Sequence, residues 1–211
     1  MILTTESYTK QAESWPTDGR HIMAQYDAKS VIVYQAYRPA IGRFAAKNGY
    51  FGGEFRLTRM SWIKPNFLWM MYRSGWGTKE GQEIRLAIRI RRAAFDEILS
   101  LAVHSNYVAD VYSTHASWKQ AVAASDVRLQ WDPDHHPVGT PLSRRAIQLG
   151  LRGEVLAKYA REWIIEIEDI SDFVAEQYRH IQSKKLDQLR TPFEQPYPVE
   201  AESARQRLQL A

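Results

Sequence analysis

Apolar and polar positions change period several times along the chain, and each change marks a predicted element. From Val31 to Tyr37 a β-branched and aromatic run carries one strongly polar residue, Gln35, and ends at Arg38 and Pro39. This predicts a buried strand that stops at a turn. Residues 41–47 predict a helix closed by Asn48-Gly49. Gly52-Gly53 marks a flexible loop, after which Met60 to Ile63 leads into Pro65, a residue suited to the first turn of a second helix. That helix carries Phe67, Leu68, Met70 and Met71, apolar in nearly every direction, so it is predicted to be buried on most sides and to stop near Gly75 and Gly77. Ile84, Leu86, Ile88 and Ile90 alternate with Arg85, Ala87, Arg89 and Arg91, which predicts a half-buried strand with an arginine-rich outer face.

The second half is read the same way. Ala93 to His104 predicts a helix with Phe95, Ile98, Leu99 and Ala102 on one side, and Ser113 a cap for a helix through Ala124. Val127, Leu129 and Trp131 alternate with Arg128 and Gln130 in a strand expected to end at Asp132-Pro133. Ser143 is expected to cap a helix carrying Ile147, Leu151, Val155 and Tyr159 at intervals of four, interrupted by Gly150 and Gly153. Trp163 to Ile170 predicts a last strand, and Ser171 or Asp172 the cap of a terminal helix reaching about Leu189. Turn signals at Trp15-Pro16 and Asp18-Gly19 predict an irregular wrap over residues 1–30 that tucks Ile22, Met23 and Tyr26 against the core. The order of elements predicts a single compact α+β domain over residues 1–190, with a mixed or split antiparallel sheet and flanking helices. Residues 191–211 read as a proline-containing C-terminal tail, loose at its end.

Composition narrows the function. The chain has 211 residues and no cysteine, which excludes disulfide scaffolds, thiolate nucleophiles and cysteine-rich metal centres. No apolar run approaches the roughly 20 residues that span a bilayer, and Met1 to Lys10 lacks the basic start and apolar middle of a signal peptide. A cytoplasmic protein with no membrane partner is expected. Between Arg38 and Arg92 twelve Lys or Arg residues stand against three acids, a local balance of +9 in a chain whose formal charge is +4. Such a block favours an anionic partner: a dinucleotide, another phosphorylated small molecule or nucleic acid.

The candidate residues sit where apolar runs stop. Gln35, Tyr37, Arg38, Ser61, Trp62, Lys64 and Arg73 are delivered to element ends, the usual place for a site. The planar fork of Arg38 suits a phosphate, or equally a structural ion pair. Lys64 lies by a helix N-terminus, which itself attracts anions, whereas Arg73 near the other end complements the helix dipole. Trp62, with polar neighbours, is the indole best placed to stack on a base. Asp132, Asp134, His135 and His136 invite a metal reading, but adjacent histidines rarely reach one ion and the flanking prolines favour a rigid turn. No metal is expected, and His135 or Asp132 is left to general acid–base work. Arg144, Arg145 and Gln148 lie at the start of a helix, where basic charge is unfavourable for the dipole unless an anion is near, which points to ligand contact there unless Asp134 removes the need for it.

Two resemblances follow. YQAYRP, SWIKPNFLWMMYRS, QWDPDH and RRAIQLGLRG, spread from about Trp15 to Phe173, resemble a family catalogued as a domain of unknown function, number 4291. More distantly, VIVYQAYR, AIGRFAAKNGYF, MSWIKPNFLWMMY and VRLQWDPD resemble, in that order, parts of the ADP-ribosyltransferase fold, including its RNA 2'-phosphotransferase branch. That resemblance implies NAD as cofactor, with Gln35, Tyr37 or Arg38 on its diphosphate or adenosine ribose. It sets Ser61 and Trp62 beside the nicotinamide ribose, and Gln130 or Asp132 at the catalytic acid's position. VRLQWDPD contains no Glu-x-Glu or Gln-x-Glu, so Asp132 alone stands for the usual carboxylate. The implied activity is transfer or cleavage at an N-glycosidic bond, with nucleic acid a candidate acceptor. The alternatives are a nucleic-acid-binding module using the arginine face and tryptophans, and a metal-dependent hydrolase built on Asp132 to His136.

Overall fold

The computed structural model describes residues 2–211. Its first half runs β1 (Thr5–Ser7), α1 (Tyr8–Ser14), β2 (Met23–Ala24), β3 (Ser30–Tyr37), α2 (Pro39–Asn48), β4 (Ser61–Ile63), α3 (Phe67–Ser74), β5 (Ile84–Arg91) and α4 (Arg92–Leu101). The second half runs β6 (Ala102–His104), α5 (His115–Ala124), β7 (Val127–His135), β8 (Pro141–Leu151), α6 (Gly153–Lys158), a π-helical turn (Tyr159–Trp163), β9 (Ile164–Asp169), α7 (Ser171–Gln182), β10 (Arg190–Pro192), β11 (Gln195–Pro196) and α8 (Glu202–Leu208). This is an α+β fold.

Two sheets carry it. One is antiparallel with order β3-β5-β9, and the other has order β4-β8-β7-β6, in which only β6 and β7 run parallel. They meet at one antiparallel bridge, where Tyr34 N–H donates to the Lys64 carbonyl at 2.7 Å and Lys64 N–H returns the bond at 3.2 Å. Beyond it β3 and β4 no longer pair through their backbones, so the sheet is split at this seam. Alternation along β3 sends Val31 and Val33 into one core cluster and Ile32 and Tyr34 into the other.

The central strand β5 corrects one expectation. It is covered on both faces: Ala87 is as buried as Leu86 and Ile88, and Arg85 is only 8% exposed. Arg85 donates to the carbonyls of Glu83 and Ser171, and Arg89 pairs with Asp27 and Glu166. The arginine face therefore ties loops and strands together, and Arg91 is its exposed member.

The largest correction concerns residues 141–151, which form strand β8 and not a helix. A spacing of four satisfies a period of two as well as one of 3.6, so Ile147 and Leu151 fit both readings. Leu149 between them decides it, because Ile147, Leu149 and Leu151 are all buried and β8 pairs with β4 and β7 on its two sides. Similarly, Ala102–His104 leaves the helix to pair beside Val127–Leu129, and β7 continues through Pro133 to His135. Thr114, one residue after Ser113, caps α5 in a capping box with Ser117. Asn66, not Pro65, starts α3, its Oδ1 accepting from Trp69 N–H at 2.6 Å. Gly49 and Gly75 close α2 and α3 in left-handed conformations, as their positions predict.

Both chain ends are ordered against each other. β1 pairs with β10 and β2 with β11, which replaces the irregular wrap by two short ribbons. The expected loose end instead folds as α8, with Leu208 fully buried and its carbonyl accepting from Trp131 Nε1 at 3.0 Å. The helix predicted to be terminal, α7, stops at Gln182, short of Leu189. No helix among the described residues is long and apolar enough to cross a membrane.

Candidate functional site

The seam between the sheets opens into a cleft of about 680 Å³. Alternation on the second sheet puts Ile63, Leu129, Ile147 and Leu149 in the core, and turns Trp62, Gln130, Asp132 and Gln148 to the cleft. Gly150 sits opposite Trp62, where a Cβ would lie 2.6 Å from Met60 Sδ and 3.0 Å from the Trp62 ring. Glycine thus leaves the room that Trp62 and Met60 need to wall the cleft. From β3 come Gln35 and Tyr37, from β4 Ser61, from the bridge Lys64, and from α3 Trp69 and Arg73.

A polar network fills the split where backbone pairing ends. Gln35 Nε2 donates toward Ser61 Oγ (2.9 Å), Tyr37 Oη (2.8 Å) and the Trp62 carbonyl (3.1 Å), while Gln35 Oε1 accepts from Tyr159 Oη at 2.8 Å. Tyr37 Oη and Ser61 Oγ lie 2.5 Å apart. Burial raises both phenols above the usual tyrosine range, so they stay protonated hydrogen-bonding groups. Opposite, Gln130 Nε2 and Gln148 Nε2 each donate to one oxygen of Asp132, at 2.9 and 2.7 Å. The two amides fix the orientation of that carboxylate.

Lys64 is the electrostatic centre of the cleft. It is 5% exposed, and among the described residues its ammonium has neither an ion-pair partner nor a hydrogen-bond acceptor. Burial, then the charge of Arg73, pushes its pKa down to about 8, against the opposing pull of Asp132. Trp69, also buried, presents an indole N–H without an acceptor. A mostly buried cation without an acceptor in a cleft wall, beside Arg73, is a site for an anion.

A model of the family described as domain of unknown function (DUF4291) matches residues 21–197. The chain belongs to that family. The matched span holds every residue that lines the cleft of this DUF4291 protein. No curated protein matches the chain.

The fold brings together Gln35, Tyr37, Ser61, Trp62, Lys64, Arg73, Gln130 and Asp132 in this cleft. Arg38 lies next door, in a compartment of about 510 Å³ that shares Tyr37, Arg59, Met60 and Ser61 with it. There Arg38 pairs with Glu54 at 2.5 Å, both side chains about half exposed. His135 is outside both: its ring stacks on Tyr72 at 3.4 Å and on Trp69 at 5.3 Å, and burial lowers its pKa. The end of β7 in this DUF4291 protein, from Asp132 to His136, scatters its side chains. Asp132 faces the cleft, Asp134 forms a buried ion pair with Arg144 at 2.6 Å, and His136 packs edge-on against Tyr8. Asp134 thus accounts for Arg144, which lies on β8, where no helix dipole opposes it. Tyr159 is a member of the site that the helical reading of residues 143–159 missed, while Gln148, suspected of ligand contact, lines the cleft from a strand that sets it opposite Gln130.

Proposed function

We propose that this protein is a nucleotide-binding enzyme whose cleft takes the phosphates of a dinucleotide, NAD first, and acts at its N-glycosidic bond in the manner of ADP-ribosyltransferases. One observation carries the reading: a buried Lys64 without an ion-pair contact among the described residues shares a cleft with an aromatic platform, Trp62, and a carboxylate held by two amides, Asp132. Lys64 and Arg73 would hold phosphate, because burying a cation without an acceptor is costly unless a ligand supplies one. Trp62, partly exposed in the wall, offers a face to a ring. Asp132 would orient a nucleophile or stabilise positive charge developing on the ribose. The neighbouring compartment, with Arg38, Arg56 and Arg59, favours an acceptor that itself carries phosphates, such as nucleic acid.

Thermal shift with NAD, ATP, inorganic phosphate and short RNA tests this. NAD at about 100 times its Kd should stabilise by about 2.7 kcal/mol, and Arg73→Ala should reduce that response, with free nicotinamide then sought by chromatography. No stabilisation by any phosphorylated nucleotide at millimolar concentration would sink the proposal. A response to RNA alone that falls steeply with salt would instead favour a nucleic-acid-binding module.

A further inference from the structure

Of the nine lysines in the chain, Lys64 is the buried one; the other eight are exposed or half-buried. The other buried basic side chains, Arg85, Arg128 and Arg144, each donate to carbonyl or carboxylate oxygens. Unlike these arginines, Lys64 has no acceptor among the described residues, and it lines the cleft. Its surroundings match what a nucleophilic amine requires. Desolvation and a neighbouring cation, Arg73, both favour the neutral form, which carries the reactive lone pair. A proton acceptor stands in the same cleft, because Gln130 and Gln148 hold Asp132 through its two oxygens. Arg73, exposed in the same cleft, can take the phosphate and leave the Lys64 amine for chemistry.

We infer that Lys64 is the covalent nucleophile of this cleft, its amine attacking the anomeric carbon of a phosphorylated ribosyl compound to form an imine; this rests on the cleft taking such a compound. On a nucleotide with a cationic base, the nitrogen lone pair forms the new bond to C1' as the glycosidic bond breaks, and the base leaves neutral with the bonding electrons. The attacking nitrogen passes its proton to Asp132. Asp132 returns that proton to the ring oxygen, the C1'–O bond breaks as the sugar opens, and the nitrogen lone pair forms a protonated C=N bond between Lys64 and C1'. Water then adds to the imine carbon, the amine departs, and the free aldose is released with Lys64 restored. With a free aldose the same imine forms directly, with loss of one water.

Ribose 5-phosphate, whose open form carries an aldehyde, is the probe. The intact protein is incubated with it and sodium cyanoborohydride, and labelled peptides are mapped by mass spectrometry. Lys64 is expected to be labelled at least tenfold faster than any of the other eight lysines, and Lys64→Arg to lose that label while ribose 5-phosphate still raises its melting temperature. If Lys64 is labelled no faster than the exposed lysines while ribose 5-phosphate stabilises the protein, the nucleophile assignment is wrong and the binding reading stands. If ribose 5-phosphate and NAD neither label nor stabilise, both fall. The labelling of the unsubstituted protein decides the matter even if the arginine variant does not fold.

Discussion

Lys64 concentrates the residue-scale consequences. The unfolded chain holds the lysine proton to about pH 10.4, whereas the folded protein releases it near pH 8. Burying the charged form therefore costs stability in full below pH 8, less and less through the window up to about 10.4, and nothing above it. Lys64→Met removes that cost, so it should stabilise the protein at pH 7, and the gap from the natural protein should close by on the order of 3 kcal/mol between pH 8 and 10.5. Denaturant titrations of both proteins at three pH values check this; a constant gap would show that the ammonium is compensated. Gln35 gives a second case. Gln35→Leu leaves Ser61 and the Tyr37 and Tyr159 hydroxyls with fewer partners at a buried seam. A loss of about 1–3 kcal/mol is expected, together with weaker ligand-induced stabilisation, both read by thermal melts. These residues are legible in the sequence because each breaks an apolar run: a Gln inside Val31–Tyr37, a Lys between Ile63 and Pro65. What no local pattern states is that Lys64 makes no ion-pair contact among the described residues and feels Asp132 only across the cleft, since that depends on side chains from α3 and β7.

At the scale of elements, close approach is what locks the site's walls. Helix α2 lies on β5 through Gly42, where a Cβ would fall 2.5 Å from Ile84 Cβ and Cγ2. Gly42→Ala should force the helix away and lower stability by about 1–3 kcal/mol despite its better helix propensity. A melt that shows stabilisation would refute the packing. Helices α2 and α3 and strands β3, β5 and β9 are legible because their periods and end signals agree. Strand β8 is misread because Ile147, Leu151, Val155 and Tyr159 keep a spacing common to both periods, and Gly150, which looks like a helix flaw, is the space for Trp62.

The whole molecule is closed by its ends. Trp15 Nε1 donates to the Glu194 carbonyl at 2.9 Å, and Phe67 N–H at the start of α3 donates to Glu194 Oε1 at 2.7 Å. Gln11 grips Thr191 and Glu194 as well. The C-terminal segment thereby anchors the helix that carries Trp69 and Arg73. A chain ended at Gln188 should lose its cooperative melt, because Glu194, β10 and β11 go with it. One ended at Val199 should fold with a lower melting temperature, since the burial of Leu208, worth about 1.5–3 kcal/mol, is lost. Melts followed by circular dichroism distinguish the two; equal melting temperatures for both and the full chain would contradict this closure.

The amino-acid order alone was enough for the α+β class, the polar breaks at Gln35, Ser61 and Lys64, and the basic character of residues 38–92. Each is a local property: a period, a terminator, a charge density. The tertiary structure decided the rest. It buried Arg85 against backbone carbonyls and set Arg89 in ion pairs, made a strand of residues 141–151, sent His135 into an aromatic stack, and ordered the chain end. It also gathered residues from β3, β4, α3, β7 and β8 around one buried ammonium. Pairing partners, burial and charge compensation are relations between segments far apart in the chain, and no window of sequence contains both sides of them.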